Sequence, residues 1–352
     1  MAVRPPLPVR NGVNPTRLRV PASGPWASVQ DYLLDRFGHV DPDGIRRRFR
    51  DSEIVGAEGQ PVPAETALGV HEFLWYYRDL PHEPALPVQY TVLHRDERLV
   101  VIDKPHFLPV TPGGRFIQET ALVRLRRELG IDDLVPLHRL DRATAGVVMF
   151  SCDPATRGAY HLLFERRAAQ KSYEAVSALP VPHPPGSADD DVGALTERFP
   201  LVVRSRIRKD KGILRSVVEE IPVRASGRRA GDPVRTRHAN RPHVGANAET
   251  RIELLGVGPS PGTLAGQSVA HWRLSPRTGR THQLRLHLAS LGLGIAFDPF
   301  YPDLLDVAPD DFSRPLQLLA RRLSFIDPVT GEPREFVSRA RLQEAPRQNV
   351  SA

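Results

Sequence analysis

The chain predicts an α+β fold built around a largely antiparallel sheet. Apolar, β-branched runs of strand length recur between residues 90 and 325, interspersed with helical patterns. They lack the strict strand–helix–strand alternation of a doubly wound sheet. Two of the runs, Tyr90–His94 and Leu99–Asp103, flank an Asp-Glu turn, which is a hairpin signature. Between Glu119 and Leu129, Leu122, Leu125 and Leu129 fall on one helical face.

Residues 1–25 are rich in Pro, Arg and Asn and read as a flexible tail. Residues 26–84 read as a small separate module. Val29, Tyr32, Leu33 and Phe37 fall at helical spacing, and Gly44–Arg50 suggests a short basic helix. Ile54-Val55-Gly56 and the segment after Glu58-Gly59-Gln60 suggest small strands around a turn, and 78–84 reads as a linker. The second domain spans 88–340. After its opening hairpin come a loop from Lys104 to Gly114, the 119–129 helix and a loop around Asp141. A strand at Val147–Phe150, an amphipathic helix at 155–168 and a strand at Lys171–Val176 follow. Residues 180–193 are loop-like, and strands return at Val217–Val223, Thr250–Leu255 and Val269–Leu274. Gly279 permits a tight turn into a helix at Thr281–Leu291. There Leu284, Leu288 and Leu291 face the core, and Arg285 lies at the edge of that stripe, within reach of an inward carboxylate. The apolar Leu316–Phe325 closes the core.

Composition narrows the function. The 352 residues are 40% hydrophobic and 25% charged, values of a globular protein long enough for two domains. No apolar run approaches the roughly 18 residues of a membrane span. The first residues carry no signal-peptide pattern, so a cytoplasmic location is expected. The single cysteine, Cys152, excludes an internal disulfide and a Cys-cluster zinc site. Net charge is +7, and residues 201–241 hold twelve Arg/Lys against four Asp/Glu. Such a localised basic insert is a footprint expected for nucleic acid.

Three segments carry the chemistry. In the first, Asp141 stands between Arg139 and Arg142 ahead of Thr144-Ala145-Gly146, and positive neighbours favour the charged form of a carboxylate. In the second, Lys171, Tyr173 and Ala175 alternate along a strand and so share one face. The third, Thr278–Leu288, opens a helix with Arg280, Thr281, His282 and Gln283. A helix start offers donors to phosphate. A metal hydrolase reading of His138, Asp141, His282 and His287 fails on spacing, because five residues do not bring two histidines onto one helical face. The arginines around Asp141 also oppose a cation. Gly-x-Ser-x-Gly and Gly-rich phosphate loops are absent. A glycosidase wants a second carboxylate near the first, and none stands out.

Together the segments resemble the RluA-type RNA pseudouridine synthases. His138–Gly146 is similar to that family's His-Arg-Leu-Asp motif, Lys171–Ala175 to its Lys-x-Tyr-x-Ala, and Thr278–His287 to its Thr-Gly-Arg-Thr-His-Gln-Leu-Arg-x-His. Asp103-Lys104-Pro105 and Pro112-Gly113-Gly114 also fit. Ala145 replaces a usual Ser, Phe297-Asp298-Pro299-Phe300-Tyr301 keeps only the Asp and Tyr of a later motif, and Leu318-Leu319-Ala320 lacks a usual His. The resemblance implies a catalytic domain with a mixed, largely antiparallel central sheet flanked by helices, preceded by a small α/β RNA-binding-like module. It implies isomerisation of uridine to pseudouridine in structured ribosomal or transfer RNA without cofactor or metal; a monomer is the default expectation. The flipped base is one that must leave its stack. Asp141 is then the essential carboxylate, Tyr173 stacks on the uracil, and Arg285 pairs with Asp141. His138, Arg139, Arg142, Thr144, Lys171, Arg280, His282 and Gln283 would bind substrate. Arg139 would fill the vacated stack, and the 201–241 insert and Arg46–Arg50 would hold phosphates. The competing reading is an RNA-binding or RNA-folding factor whose catalysis is vestigial.

Overall fold

The computed structural model of the protein describes residues 5–80, 82–179, 193, 195–219, 245–306, 308 and 311–347. The chain divides into two compact units, residues 1–85 with 111–132, and 86–110 with 133–352.

In the first unit, strand β1 (Thr16–Arg19) pairs antiparallel with β2 (Phe73–Tyr76). Between them lie α1 (Val29–Phe37) and α2 (Pro42–Arg50). Ser28 and Asp41 cap the two helices by accepting from the Asp31 and Gly44 N–H groups, which would otherwise lack partners. Val29, Leu33, Ile45, Phe49 and Leu74 form the core, and Leu18 of β1 packs against it. That burial orders part of the stretch expected to be a loose tail. Arg47 and Arg48 both pair with Asp79 at 2.7 Å, and Arg48 is buried, so Arg48 is not free to hold phosphates as the sequence suggested. Helix α3 (Ala121–Leu129), capped by Thr120 and stopped by Gly130 at φ 67°, groups with this unit although it follows the opening hairpin of the second. Its Arg126 donates to the Gly12 carbonyl and to Asn14 Oδ1.

The second unit is a sheet with two packed faces. Its strands are β3 (Thr91–Arg95), β4 (Leu99–Lys104), β5 (Val135–Pro136), β6 (Ala145–Ser151), β7 (Gln170–Ala178), β8 (Leu201–Ser205), β11 (Ala248–Pro259), β12 (Ser268–Pro276), β13 (Leu318–Ile326) and β14 (Pro333–Val337). The order is β3-β4-β6-β13-β7-β12-β11-β8, with β14 on β13 and β5 on β6. Among the described pairs only β6–β13 is parallel, so the sheet is mixed and largely antiparallel, as predicted. Strands β9 (Ile207–Arg208) and β10 (Val217–Val218) form a separate small hairpin. Trp272, Leu274, Leu284 and Leu288 join α5 (Gln283–Ser290) to one core, while Met149, Tyr160, Leu163 and Phe325 join α4 (Arg157–Glu165) to another.

The supposed basic insert begins inside this sheet. Residues 201–205 are β8, paired with β11, because Leu201 is an apolar core residue. Residues 220–241 of that insert, and most of the 180–193 loop, lie outside the described residues. Among the described residues no helix is long and apolar enough to cross a membrane. Gly146 shows why the Asp141 loop ends in glycine. Its φ is 114°, and a Cβ there would lie 2.3 Å from the Ala320 carbonyl oxygen across the parallel β6–β13 contact.

Candidate active site

Asp141 lies in the loop between β5 and β6, and backbone bonds fix that loop. The Thr144 N–H donates to the Asp141 carbonyl at 3.1 Å. Lys104, at the end of β4, is 1% exposed and donates to the carbonyls of Pro105, Leu108 and Arg142 at 2.9, 2.8 and 3.3 Å. An ammonium has three donors and no acceptor, so three converging carbonyls suit it. Burial still pushes Lys104 down to about 7, against the favourable charge of Asp141. His106 Nδ1 lies 2.7 Å from the Ala143 carbonyl, and Arg142 Nε donates to the Phe107 carbonyl. The carboxylate of Asp141 itself stays open, its side chain 34% exposed.

Helix α5 brings up the cation. Arg285 is buried, and its Nη1 lies 3.6 Å from Asp141 Oδ2. Its stronger partner is Asp298, bound through Nε at 2.7 Å and Nη2 at 2.5 Å. Such two-pronged pairing fixes the plane of a guanidinium. Asp298 also accepts the N–H groups of Phe300 and Tyr301, and both of those rings lie near the guanidinium. Burial alone would lower the Arg285 pKa, but the Asp298 bonds and charge outweigh it and raise it. Asp298 therefore holds Arg285 charged and aimed, leaving Nη1 for Asp141.

His282 caps α5 with φ 58°, an uncommon left-handed conformation for a residue other than glycine. Its side chain makes no capping bond. Instead Nε2 lies 3.7 Å from Asp141 Oδ2 and Nδ1 lies 3.0 Å from the Tyr301 hydroxyl. Burial lowers its pKa, and Asp141 opposes that shift. Tyr173, on β7, packs against the core around Trp272 and Leu288. Burial, then the charge of Asp141, pushes its phenol up. Asp141 thus has Arg285 and His282 within 4 Å, and its charge reaches the Tyr173 phenol.

The other expected contacts divide. Arg139 and Arg280 are exposed, Arg280 being anchored through Nε to the Asn247 carbonyl. Lys171 is half-buried, 5.5 Å from the Phe164 ring, and burial lowers its pKa. Arg142 turns back to the Phe107 carbonyl. His138 and Gln283 meet interior partners rather than an open face. His138 Nε2 accepts the Met149 N–H while its ring packs on Phe164, and burial pushes it down to about 3. Thr144 is buried. Gln283 is 3% exposed, accepting from Thr278 and Arg280 and donating to the Glu249 carbonyl and Thr250. His138 and Gln283 thus brace the motifs. Sequence reasoning did not place Asp298, Tyr301 or Lys104 in the site. The retained Asp and Tyr of Phe297–Tyr301 were the available signal.

A half-open carboxylate with a clamped guanidinium and a buried phenol suits chemistry on a polar ring held against an apolar wall. The pattern of the RNA pseudouridylate synthase family matches residues 98–290. Over 271 residues the chain is 29% identical to an uncharacterized RNA pseudouridine synthase of Synechocystis, which spans 77% of this chain and 78% of that one. Over 264 residues it is 27% identical to the dual-specificity RNA pseudouridine synthase RluA of Haemophilus influenzae, covering 73% and 96%. Human RNA pseudouridylate synthase domain containing 1 shares the fold, with a TM-score of 0.50 and 19% identity over 74% of this chain and 86% of that one. The chain belongs to the RNA pseudouridylate synthase family, in its RluA-type branch. It is accordingly an isomerase that converts uridine to pseudouridine in RNA.

Proposed function

We propose that the enzyme isomerises specific uridines of structured ribosomal or transfer RNA, with Asp141 as the essential carboxylate. The observation that carries this reading is the clamp: Asp298 fixes Arg285, and Arg285 Nη1 stands 3.6 Å from an open Asp141. In the reaction the bond from ribose C1′ to uracil N1 breaks, the ring turns, and C1′ bonds to C5. The C5 proton leaves, its electron pair restores the ring double bond, and N1 gains a proton. Atoms and electrons balance without a cofactor. Asp141 acts on the ribose, Arg285 orients it, and Tyr173 supports the uracil face from β7. The raised phenol of Tyr173 stays protonated at neutral pH, which suits stacking and hydrogen bonding. The target base leaves its helix to reach the site, as chemistry on a base in a duplex requires. Arg139, exposed and two residues from Asp141, would stack where the base was. A monomeric, cytoplasmic enzyme completes the proposal.

The test is to incubate the protein with ribosomal and transfer RNA from cells lacking it, digest to nucleosides and count pseudouridine by mass spectrometry. Pseudouridine should rise with the parent enzyme and not with Asp141→Ala. Equal RNA binding with no gain from either protein would favour the binding-factor reading instead.

A further inference from the structure

The Tyr301 hydroxyl has more neighbours than its one proton can serve in every arrangement. It accepts the Ser216 N–H at 2.8 Å and faces the Ser216 carbonyl at 2.8 Å and His282 Nδ1 at 3.0 Å. Ser216 belongs to the connection between β9 and β10, and both its backbone polar groups bracket one phenol. A phenol donates once and accepts twice. If Tyr301 donates to the Ser216 carbonyl, His282 must donate from Nδ1, and all three contacts are satisfied. If His282 instead carries its proton on Nε2, Tyr301 donates to Nδ1 and the buried Ser216 carbonyl loses that donor. Leaving a buried acceptor unpaired carries the full desolvation cost of that group.

We propose that Tyr301 is a positioning residue that, bracketed by Ser216, holds His282 in the Nδ1–H tautomer, so that Nε2 faces Asp141 as an acceptor and not as a donor. The left-handed backbone of His282 supports this, since strain of that kind persists where surroundings dictate it. The consequence falls on Asp141. Arg285 then remains its one close charged donor among the described residues, at 3.6 Å. A second donor from Nε2 would hold the carboxylate's charge more tightly and make it less reactive. The hairpin thereby tunes the carboxylate through one hydroxyl. The groups facing Tyr301, His282 and Asp141 are Arg285 and Asp298 beside α5, Lys209 and Arg215 from the β9–β10 connection, the latter 4.9 Å from the Tyr301 ring, and Lys104 and Tyr173 on the Asp141 side.

The proposal rests on Asp141 as the reacting carboxylate, but its first readout does not need activity. Long-range proton–nitrogen spectra of full-length protein labelled at histidine nitrogen, with His282 assigned by its loss in His282→Asn, report the tautomer directly. Asparagine tolerates a left-handed backbone, so that variant keeps the helix start. The parent should show protonated Nδ1, and Tyr301→Phe should move the proton to Nε2. In turnover, Tyr301→Phe should lower kcat about tenfold or more, leave KM nearly unchanged, and move the acidic limb of the pH–rate profile to lower pH. Protonated Nε2 in the parent overturns the proposal, as does an unchanged kcat and pH profile in Tyr301→Phe. Activity surviving in Asp141→Asn would instead overturn the assignment of Asp141, with the tautomer result standing by itself.

Discussion

Replacing Asp298 by alanine strands a buried charge in the site, the guanidinium of Arg285. Arg285 is 2% exposed and Asp298 is 5% exposed, and the two share a pair of short hydrogen bonds. Removing one partner of a buried pair typically destabilises by about 3–5 kcal/mol, because the other charge stays dry and uncompensated. Asp141, at 3.6 Å and open to solvent, offers Arg285 only partial relief. The Phe300 and Tyr301 N–H groups lose their acceptor as well. For a unit of this size each kcal/mol moves Tm by roughly 2–4 °C, so Asp298→Ala should melt about 6–20 °C below the parent. Calorimetry beside urea titration measures this, and Asp298→Asn, which keeps the shape but not the charge, should fall between. Turnover should drop further than stability explains, because Arg285 no longer holds its angle to Asp141. A Tm within about 2 °C of the parent would refute the reasoning that Asp298 is what makes a buried Arg285 tolerable.

Three more outcomes follow from the same geometry. Gly146→Ala should destabilise by about 3 kcal/mol or more, or prevent soluble folding, because its Cβ would enter the Ala320 backbone at a φ of 114°; a parent-like Tm would contradict the clash. His287 is fully buried between Ser205 and Thr250, and burial pushes it down to about 4. The unfolded chain binds the proton first, so the stability present above the unfolded pKa near 6.5 is lost as pH falls toward 4. Urea midpoints should therefore imply a loss of about 2 kcal/mol from this residue between pH 7.5 and 5, and His287→Gln should flatten that slope. Tyr173→Phe should cut kcat by about a hundredfold or more while RNA affinity holds, if the hydroxyl takes part in proton movement; unchanged kcat in single-turnover assays would leave the ring a stacking role alone.

Elements whose pattern is local were legible in the sequence. The β3–β4 hairpin, α1 and α5 follow from alternation, a turn or a helical stripe. The convergence of Asp141, Tyr173 and Arg285 was reached through three spaced motifs and the resemblance they carry. What the sequence hid depends on long-range pairing. β1 reads as tail because four residues alternate weakly, and it is a strand only because Phe73–Tyr76 lies beside it. β8 reads as basic insert because Arg204 and its neighbours dominate the composition, while Leu201 decides the fold. His138 and Gln283 sit in the motifs as polar residues, and nothing local says that their partners are Met149 and the β11 backbone. Asp298 lies 13 residues from Arg285, and only the turn after α5 brings them together.

The central claim is that an open Asp141, aligned by a clamped Arg285, performs the isomerisation. Its most direct test is tritium release from RNA labelled at uridine carbon 5, measured for the parent and for Asp141→Asn at equal RNA binding. The parent should release tritium in step with pseudouridine formed, and Asp141→Asn should release none while binding the same RNA. Release by Asp141→Asn at a measurable rate would contradict the account.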